Sequence, residues 1–308
     1  MASNWLMQGL ERDGGAMSQA GNDAVEDRLS RAVEAYHEAA LLYAAAKLGL
    51  AETMGAASWT ADDLAQTLGL SAPHLARFLR GLCIIGICQE RPDGSFALTA
   101  FGQSLTPDSR LAQKVQIVVE QYWQPWAHLA KTLQDGTPAF EQVFGATVVD
   151  WRRDHPEQGA MFVSYLDKAT HTETAAILVA LDLSETDKIV DIGGADDGLL
   201  ADIPPHADLY LLPAALQNYD DAGALAILRN CRAAMRDGTR LVIVERLLPE
   251  RAADDAAAIM LDLHLMTIYG GRARTLAELE DLLSAARLVL SRTTATRSGL
   301  AVVECLTT

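Results

Sequence analysis

The sequence predicts an α plus α/β protein in two parts: an N-terminal helical domain closed by a winged helix, followed by an open, mostly parallel α/β sheet. Two observations predict it. Before Lys188 the apolar residues recur at helical spacing, and from Lys188 onward short β-branched runs alternate with amphipathic segments. A third sets the scale: 308 residues, 50% of them hydrophobic and 21% charged, suffice for a core in each of two domains.

Residues 1–24 mix Gly, Asn and Ser without periodicity and read as a mobile arm. From Val25 to Leu50 the apolar positions Leu29, Val33, Ala40, Leu41, Tyr43, Ala44 and Leu48 share a helical face. Thr60 caps a short helix that turns at Gly69, Ser71 caps a second, and Pro92-Asp93-Gly94 joins two short strands. Helix, turn, helix and wing make a winged helix within a 25–106 domain. Such a motif can set a helix in a DNA groove, but here the second helix offers only Arg77 and Arg80 among apolar residues, so the expectation is a dimerisation module. Residues 107–184 read as a helical linker that also carries pocket residues. Tyr122, Trp123, Trp126, Phe162 and Tyr165 are concentrated there, and each ring has a core reading beside a pocket-wall reading.

The last domain, 185–308, opens with the apolar strand IVDIGG, which ends in Asp191 and a Gly-rich turn. Further strands are expected at 207–212, 239–248, 286–294 and 299–307, with helices at 221–236, 253–268 and 275–286 between them.

Charge and cysteine usage exclude several classes. Lys and Arg total 25 against 41 Asp and Glu, a formal charge of -16 that repels phosphate backbones, so no nucleic-acid partner is expected. Cys83, Cys88, Cys231 and Cys305 form no CxxC pair and have no adjacent His, which gives no metal site and reads as buried thiols of a cytoplasmic protein. The sequence shows neither a membrane-spanning apolar run nor a signal-peptide pattern, so no membrane partner is expected.

From about residue 25 onward the chain resembles the S-adenosylmethionine-dependent O-methyltransferases of bacterial and plant secondary metabolism. The blocks that carry the resemblance are FALTAFGQSL, GTPAFEQVFG, IVDIGG, YLLPAALQNYDDAGALAILRNCRAAMRDGTRLVIVERLLP and MLDLHLMTIYGGRARTLAEL, in that order. The resemblance implies a Rossmann-like domain, a homodimer interlocked through the helical domain, and a polyketide-like natural-product intermediate held between the domains. It also implies three working parts: a backbone cradle for the cofactor, an acidic residue on its ribose, and a base near the acceptor hydroxyl.

Against that pattern the chain departs at each part. The family's Asp-x-Gly-Gly-Gly-x-Gly is here Asp191-Ile192-Gly193-Gly194-Ala195-Asp196-Asp197, with side chains in place of two glycines. The family's basic His aligns with Gln217, which cannot take a proton at neutral pH. Of the two carboxylates that orient that His, Glu245 is kept and the other is replaced by Ala273. Only residues 193–207 lie where the family has two strand–helix units, which need roughly 50 to 60 residues.

These departures lead to four expectations: a reduced sheet of about five strands lacking the outer pair on one side, no cofactor, no S-adenosylmethionine binding, and a cofactor-independent cyclisation, rearrangement or elimination in the old cavity. The alternatives are a non-catalytic pseudo-methyltransferase subunit and a chain that still methylates. Glu245, His264 and His171 are the candidate catalytic groups. Their bland readings are a carboxylate bonded to a loop, a partly buried helix residue and a surface residue. Tyr122, Trp126, Met161, Tyr165, Met260 and Tyr269 are the candidate pocket walls.

Overall fold

The computed structural model describes residues 19–181, 183–184, 186–192 and 203–308. The chain falls into two compact units, Met1–Gln121 and Tyr122–Thr308.

In the first unit the helix expected from Val25 is two helices, α1 (Gln19–Glu34) and α2 (Tyr36–Lys47), and Gly49, at φ 63°, turns the chain into α3 (Leu50–Met54). Helix α1 thus begins inside the stretch read as an arm; residues 1–18 lie outside the described residues. The winged helix follows as β1 (Ser58–Trp59), α4 (Ala61–Leu68), α5 (Ala72–Ile84), β2 (Cys88–Glu90) and β3 (Phe96–Leu98). Thr60 caps α4 by accepting from the Asp63 N–H, as its sequence position predicts. Strands β2 and β3 pair antiparallel, and the turn between them is tied by the Ser95 N–H donating to the Asp93 carboxylate at 2.9 Å. Leu50, Met54, Leu64, Leu79 and Leu82 form the core of this unit, with α6 (Ala100–Gln103) and α7 (Arg110–Ile117) beyond the wing. Leu29 and Val33 on α1 stay exposed, at 55% and 75%.

The second unit opens, after a π-helical turn at Val118–Tyr122, with α8 (Trp123–Ala127), α9 (Leu129–Asp135), α10 (Ala139–Phe144), α11 (Val148–Asp154) and α12 (Pro156–Ala180). Its sheet comprises β4 (Ile189–Asp191), β5 (Leu209–Pro213), β6 (Arg240–Glu245), β7 (Leu288–Ala295) and β8 (Ala301–Thr307), in the order β4-β5-β6-β8-β7. The first three strands are parallel, while β8 runs antiparallel to both β6 and β7. Helices α13 (Asp221–Ala234), α14 (Ala256–Ile268) and α15 (Leu276–Ala285) alternate with them.

Strands β5 and β6 read as unbroken apolar runs because both faces are buried. Tyr210, Leu212, Leu241 and Ile243 pack with Leu228 of α13 and Leu279 of α15, while Leu209, Val242 and Val244 pack with Ile177 of α12. Helix α15 starts on a capping box in which Thr275 accepts from the Glu278 N–H and Glu278 accepts from the Thr275 N–H. Among the described residues the sheet has five strands, as the sequence predicts, with β4 at one edge, where Ile189 is 47% exposed, and β7 at the other.

Candidate active site

In an open α/β sheet, ligands bind beyond the carboxyl ends of the parallel strands. At that end of β6 stands Glu245, only 2% exposed. Its Oε1 accepts the Gln217 backbone N–H at 2.9 Å, from the short 3-10 turn Leu216–Asn218 that follows β5. Burial pushes the Glu245 carboxyl up to about 7, against the opposing pull of that N–H and of the Arg274 guanidinium. A carboxyl poised there is half ionised near neutral pH, which suits a proton acceptor.

The 216–219 turn is held from two further sides. Arg274, 1% exposed, donates to the Leu216 and Tyr219 carbonyls and to the Asp221 carboxylate. Gly271 lies so close beneath the turn that a Cβ added there would come within 2.2 Å of the Gln217 oxygen, so only glycine fits. One residue before Arg274, the Ala273 N–H donates to Asp262 Oδ1 at 2.8 Å. Ala273 was read as a lost carboxylate, and Asp262 on α14 places one beside its backbone. Sequence reasoning missed both Asp262 and Arg274. An ionisable residue in an amphipathic segment reads as solvated until its partner on another element is known.

A second group lies on α8, α11 and α14. Trp126 Nε1 donates to His264 Nδ1 at 3.3 Å, and the Tyr122 ring meets the His264 ring edge-on at 4.6 Å between centroids. Tyr269 approaches His264 at 6.2 Å. Arg152, 9% exposed, donates to the Tyr122 hydroxyl at 2.7 Å and the Tyr269 hydroxyl at 3.2 Å, and its guanidinium lies 3.4 Å from the Phe162 ring centroid. Burial, helped by the Arg152 charge, pulls the His264 imidazole down to about 4, so it is neutral at pH 7. With Nδ1 accepting from Trp126, the proton sits on Nε2, which makes His264 a donor.

The structure therefore brings together Tyr122, Trp126, His264 and Tyr269 from the predicted set and adds Arg152, which the sequence did not reveal. Met161 and Tyr165 are half-buried on α12, either side of Phe162 in sequence, and Met260 is 50% exposed on α14. His171 lies within α12, but its side chain is outside the described residues, as are Gly193, Gly194, Ala195 and Asp197.

The Ile192 N–H donates to the Leu211 carbonyl at 2.8 Å, locking the ends of β4 and β5 side by side, with Asp191 exposed at the tip. The residues after β5 are Ala214, at φ 49°, and Ala215, both with small side chains. This fits an extended ligand laid across both strands. The outer side of β4 carries no further strand among the described residues, so no carboxylate is assigned to a ribose.

A profile of the O-methyltransferase domain matches residues 126–204 and 196–288. The phenazine O-methyltransferase PhzM of Lysobacter antibioticus is 30% identical, covering 93% of this chain and 98% of that protein. That alignment runs over 335 residues, more than the 308 present here, so the relative carries segments that this chain lacks. The crystal structure of LaPhzM superposes with a TM-score of 0.84 at 28% identity, covering 92% of this chain and 99% of that one. The fold is also that of the O-methyltransferase NcsB1 from neocarzinostatin biosynthesis, solved in complex with S-adenosylhomocysteine and 1,4-dihydroxy-2-naphthoic acid (TM-score 0.73, 24% identity, 88% and 96% covered).

These findings overturn two expectations: that the chain has lost S-adenosylmethionine and works without a cofactor, and that it catalyses a cyclisation, rearrangement or elimination. The match runs through the altered glycine turn itself, and the relative that aligns along nearly all of the chain is an O-methyltransferase. The physical reason is that a backbone cradle works through N–H groups, which Ala195 and Asp197 supply as glycine does; substitution changes clearance and not the donors. The chain is an enzyme of the methyltransferase type, and it belongs to the O-methyltransferase family.

Proposed function

We propose that this chain transfers a methyl group from S-adenosylmethionine to a hydroxyl of a small aromatic molecule in antibiotic-type secondary metabolism. The observation that carries this reading is the O-methyltransferase match spanning the strand ends and the aromatic cluster alike, from residue 126 to residue 288. Asp191, Gly193 and Gly194 would hold the cofactor at the ends of β4 and β5. The group, when bound, supplies an electrophilic methyl on a sulfonium.

The chain's own residues then divide the work. Glu245 takes the acceptor proton, as the carboxyl group hydrogen-bonded to the backbone of Gln217, where the family carries its base. His264, neutral and donating from Nε2, orients an oxygen of the acceptor, while Tyr122, Trp126 and Tyr269 present apolar ring surface to it. Met161, Tyr165 and Met260 extend that wall. No role is assigned to His171. The methyl acceptor is a small molecule and not a nucleic acid, since the chain carries a charge of -16.

Among the described residues no helix is long and apolar enough to cross a membrane, and all four cysteines are free thiols, which supports a cytoplasmic setting. The exposed Leu29, Val33 and Tyr36 of α1 and α2 support a homodimer, which light scattering at the dimer mass would bear out and at the monomer mass would refute. The test of function is incubation with S-adenosylmethionine and a panel of hydroxylated phenazines, naphthoates and benzoates, read by mass spectrometry. A product one methyl group heavier supports the reading, and unchanged acceptors across the panel, with a known methyltransferase as positive control, count against it.

A further inference from the structure

The far end of the same sheet carries a second concavity. Helices α13 and α15 pack together, and each leads into the amino end of the next strand, so their carboxyl termini lie at the opposite end of the sheet from Glu245 and Gln217. There an open groove of about 380 Å³ is lined by Arg229, Arg232 and Ala233 of α13, Ala285 at the end of α15, and Ala286 and Arg287 just beyond it. This volume is within the range of small-molecule sites.

Three features single out the groove. First, most arginines of this acidic chain's second unit are neutralised: Arg153, Arg236, Arg240, Arg246, Arg251, Arg272, Arg274 and Arg292 all pair with carboxylates. Arg229, Arg232 and Arg287 form no ion pair among the described residues, and they meet in one groove. Second, Arg232 Nε is buried without a hydrogen-bond partner among the described residues, so part of this guanidinium's donor capacity is unused. Third, Arg287 sits at φ 59°, just past the helix end, where glycine is the favoured residue. The chain keeps a long cationic side chain at a position whose backbone disfavours it, pinned by the Thr308 hydroxyl donating to its carbonyl at 3.2 Å.

Helix ends explain part of this charge and not all of it. Each helix carboxyl terminus carries roughly half a negative charge, so two of them offset about one of the three guanidiniums. About one to two positive charges remain once Glu280, which lines the adjoining hollow together with Arg287, is counted. A phosphomonoester carries about -1.5 to -2 at neutral pH and presents three acceptor oxygens, one for each guanidinium, where a carboxylate presents two.

We propose that this groove is a binding site for a phosphate-bearing small molecule, held by Arg229, Arg232 and Arg287 and separate from the site of methyl transfer. The test is calorimetric titration of the full chain with inorganic phosphate and with pyrophosphate at constant ionic strength. Saturable binding at millimolar concentration or tighter is expected, weakened about tenfold or more in the Arg229→Gln, Arg232→Gln, Arg287→Gln triple variant. Arg287→Gly keeps the test sound if the triple variant fails to fold, because glycine relieves the backbone at that position; it should weaken binding about threefold or more. Arg297→Gln, in the turn after β7 and so at the other end of that strand from Arg287, should bind as the native chain does. Absence of saturable binding to the native chain, native affinity in Arg287→Gly, or an equal loss in Arg297→Gln would overturn the proposal.

Discussion

The Gln217 backbone N–H and the Glu245 carboxylate are joined at 2.9 Å, so the position where the family carries its base is tied to the carboxylate that would orient it. An ionisable carboxyl is thereby present beside that position although the side chain at 217 is an amide.

If Glu245 takes the proton, methyl transfer should rise with pH through about 7 and level off above it. Glu245→Gln should retain the bond from the Gln217 N–H, remove that inflection, and lower kcat by about 10²-fold or more. A kcat–pH profile of both proteins checks this; a profile that keeps its inflection in the variant assigns the proton to another group.

The same carboxyl affects folding with a definite sign. Its folded pKa, about 7, lies above the ordinary 4.5, so its contribution to stability is full below about pH 4.5 and lost as the pH rises through 7. The shift is worth about 3 kcal/mol. Urea unfolding of the native chain and of Glu245→Gln should show their stability difference moving by that order, in favour of the variant, between pH 4.5 and pH 8.

His264 behaves in the opposite sense. Its pKa is depressed from 6.5 to about 4, so the native chain loses up to about 3 kcal/mol, relative to His264→Gln, as the pH falls from 6.5 through 4. Nitrogen-15 NMR should find a neutral ring protonated on Nε2 at pH 7. A charged ring there would remove its assigned role as a neutral donor.

Arg152 supplies donors to two hydroxyls, Tyr122 and Tyr269, from a position 9% exposed. Arg152→Leu strands both and should destabilise the protein by about 2–4 kcal/mol, while Tyr122→Phe, which loses one bond, should cost about 1 kcal/mol. Equal effects of the two substitutions in chemical denaturation would mean that Arg152 acts through packing on Phe162 instead.

What the sequence revealed and what it hid differ in kind. Periodicity located the β5 and β6 strands and α13 and α15 to within a few residues, because burial on both faces writes itself into unbroken apolar runs. The five-stranded sheet followed from the shortness of the segment between Gly193 and Leu209. Arg152, Asp262 and Arg274 were invisible, since each acquires its meaning from a partner on another element: Arg152 from tyrosines 30 and 117 residues away, Arg274 from a turn more than 50 residues earlier. The reading of function erred because it weighed two substituted glycines, a missing His, a missing carboxylate and a shortened segment above the agreement of the whole domain. A turn that binds through its main chain leaves little trace of that ability in its side chains.

Calorimetric titration of the purified chain with S-adenosylhomocysteine tests the central claim most directly. Membership in a methyl-transferring family predicts saturable binding at one site per chain in the micromolar range. Binding lost in Asp191→Ala and retained in Arg287→Gly would locate that site at the carboxyl end of the sheet. No heat of binding from a folded protein at millimolar ligand would contradict the account.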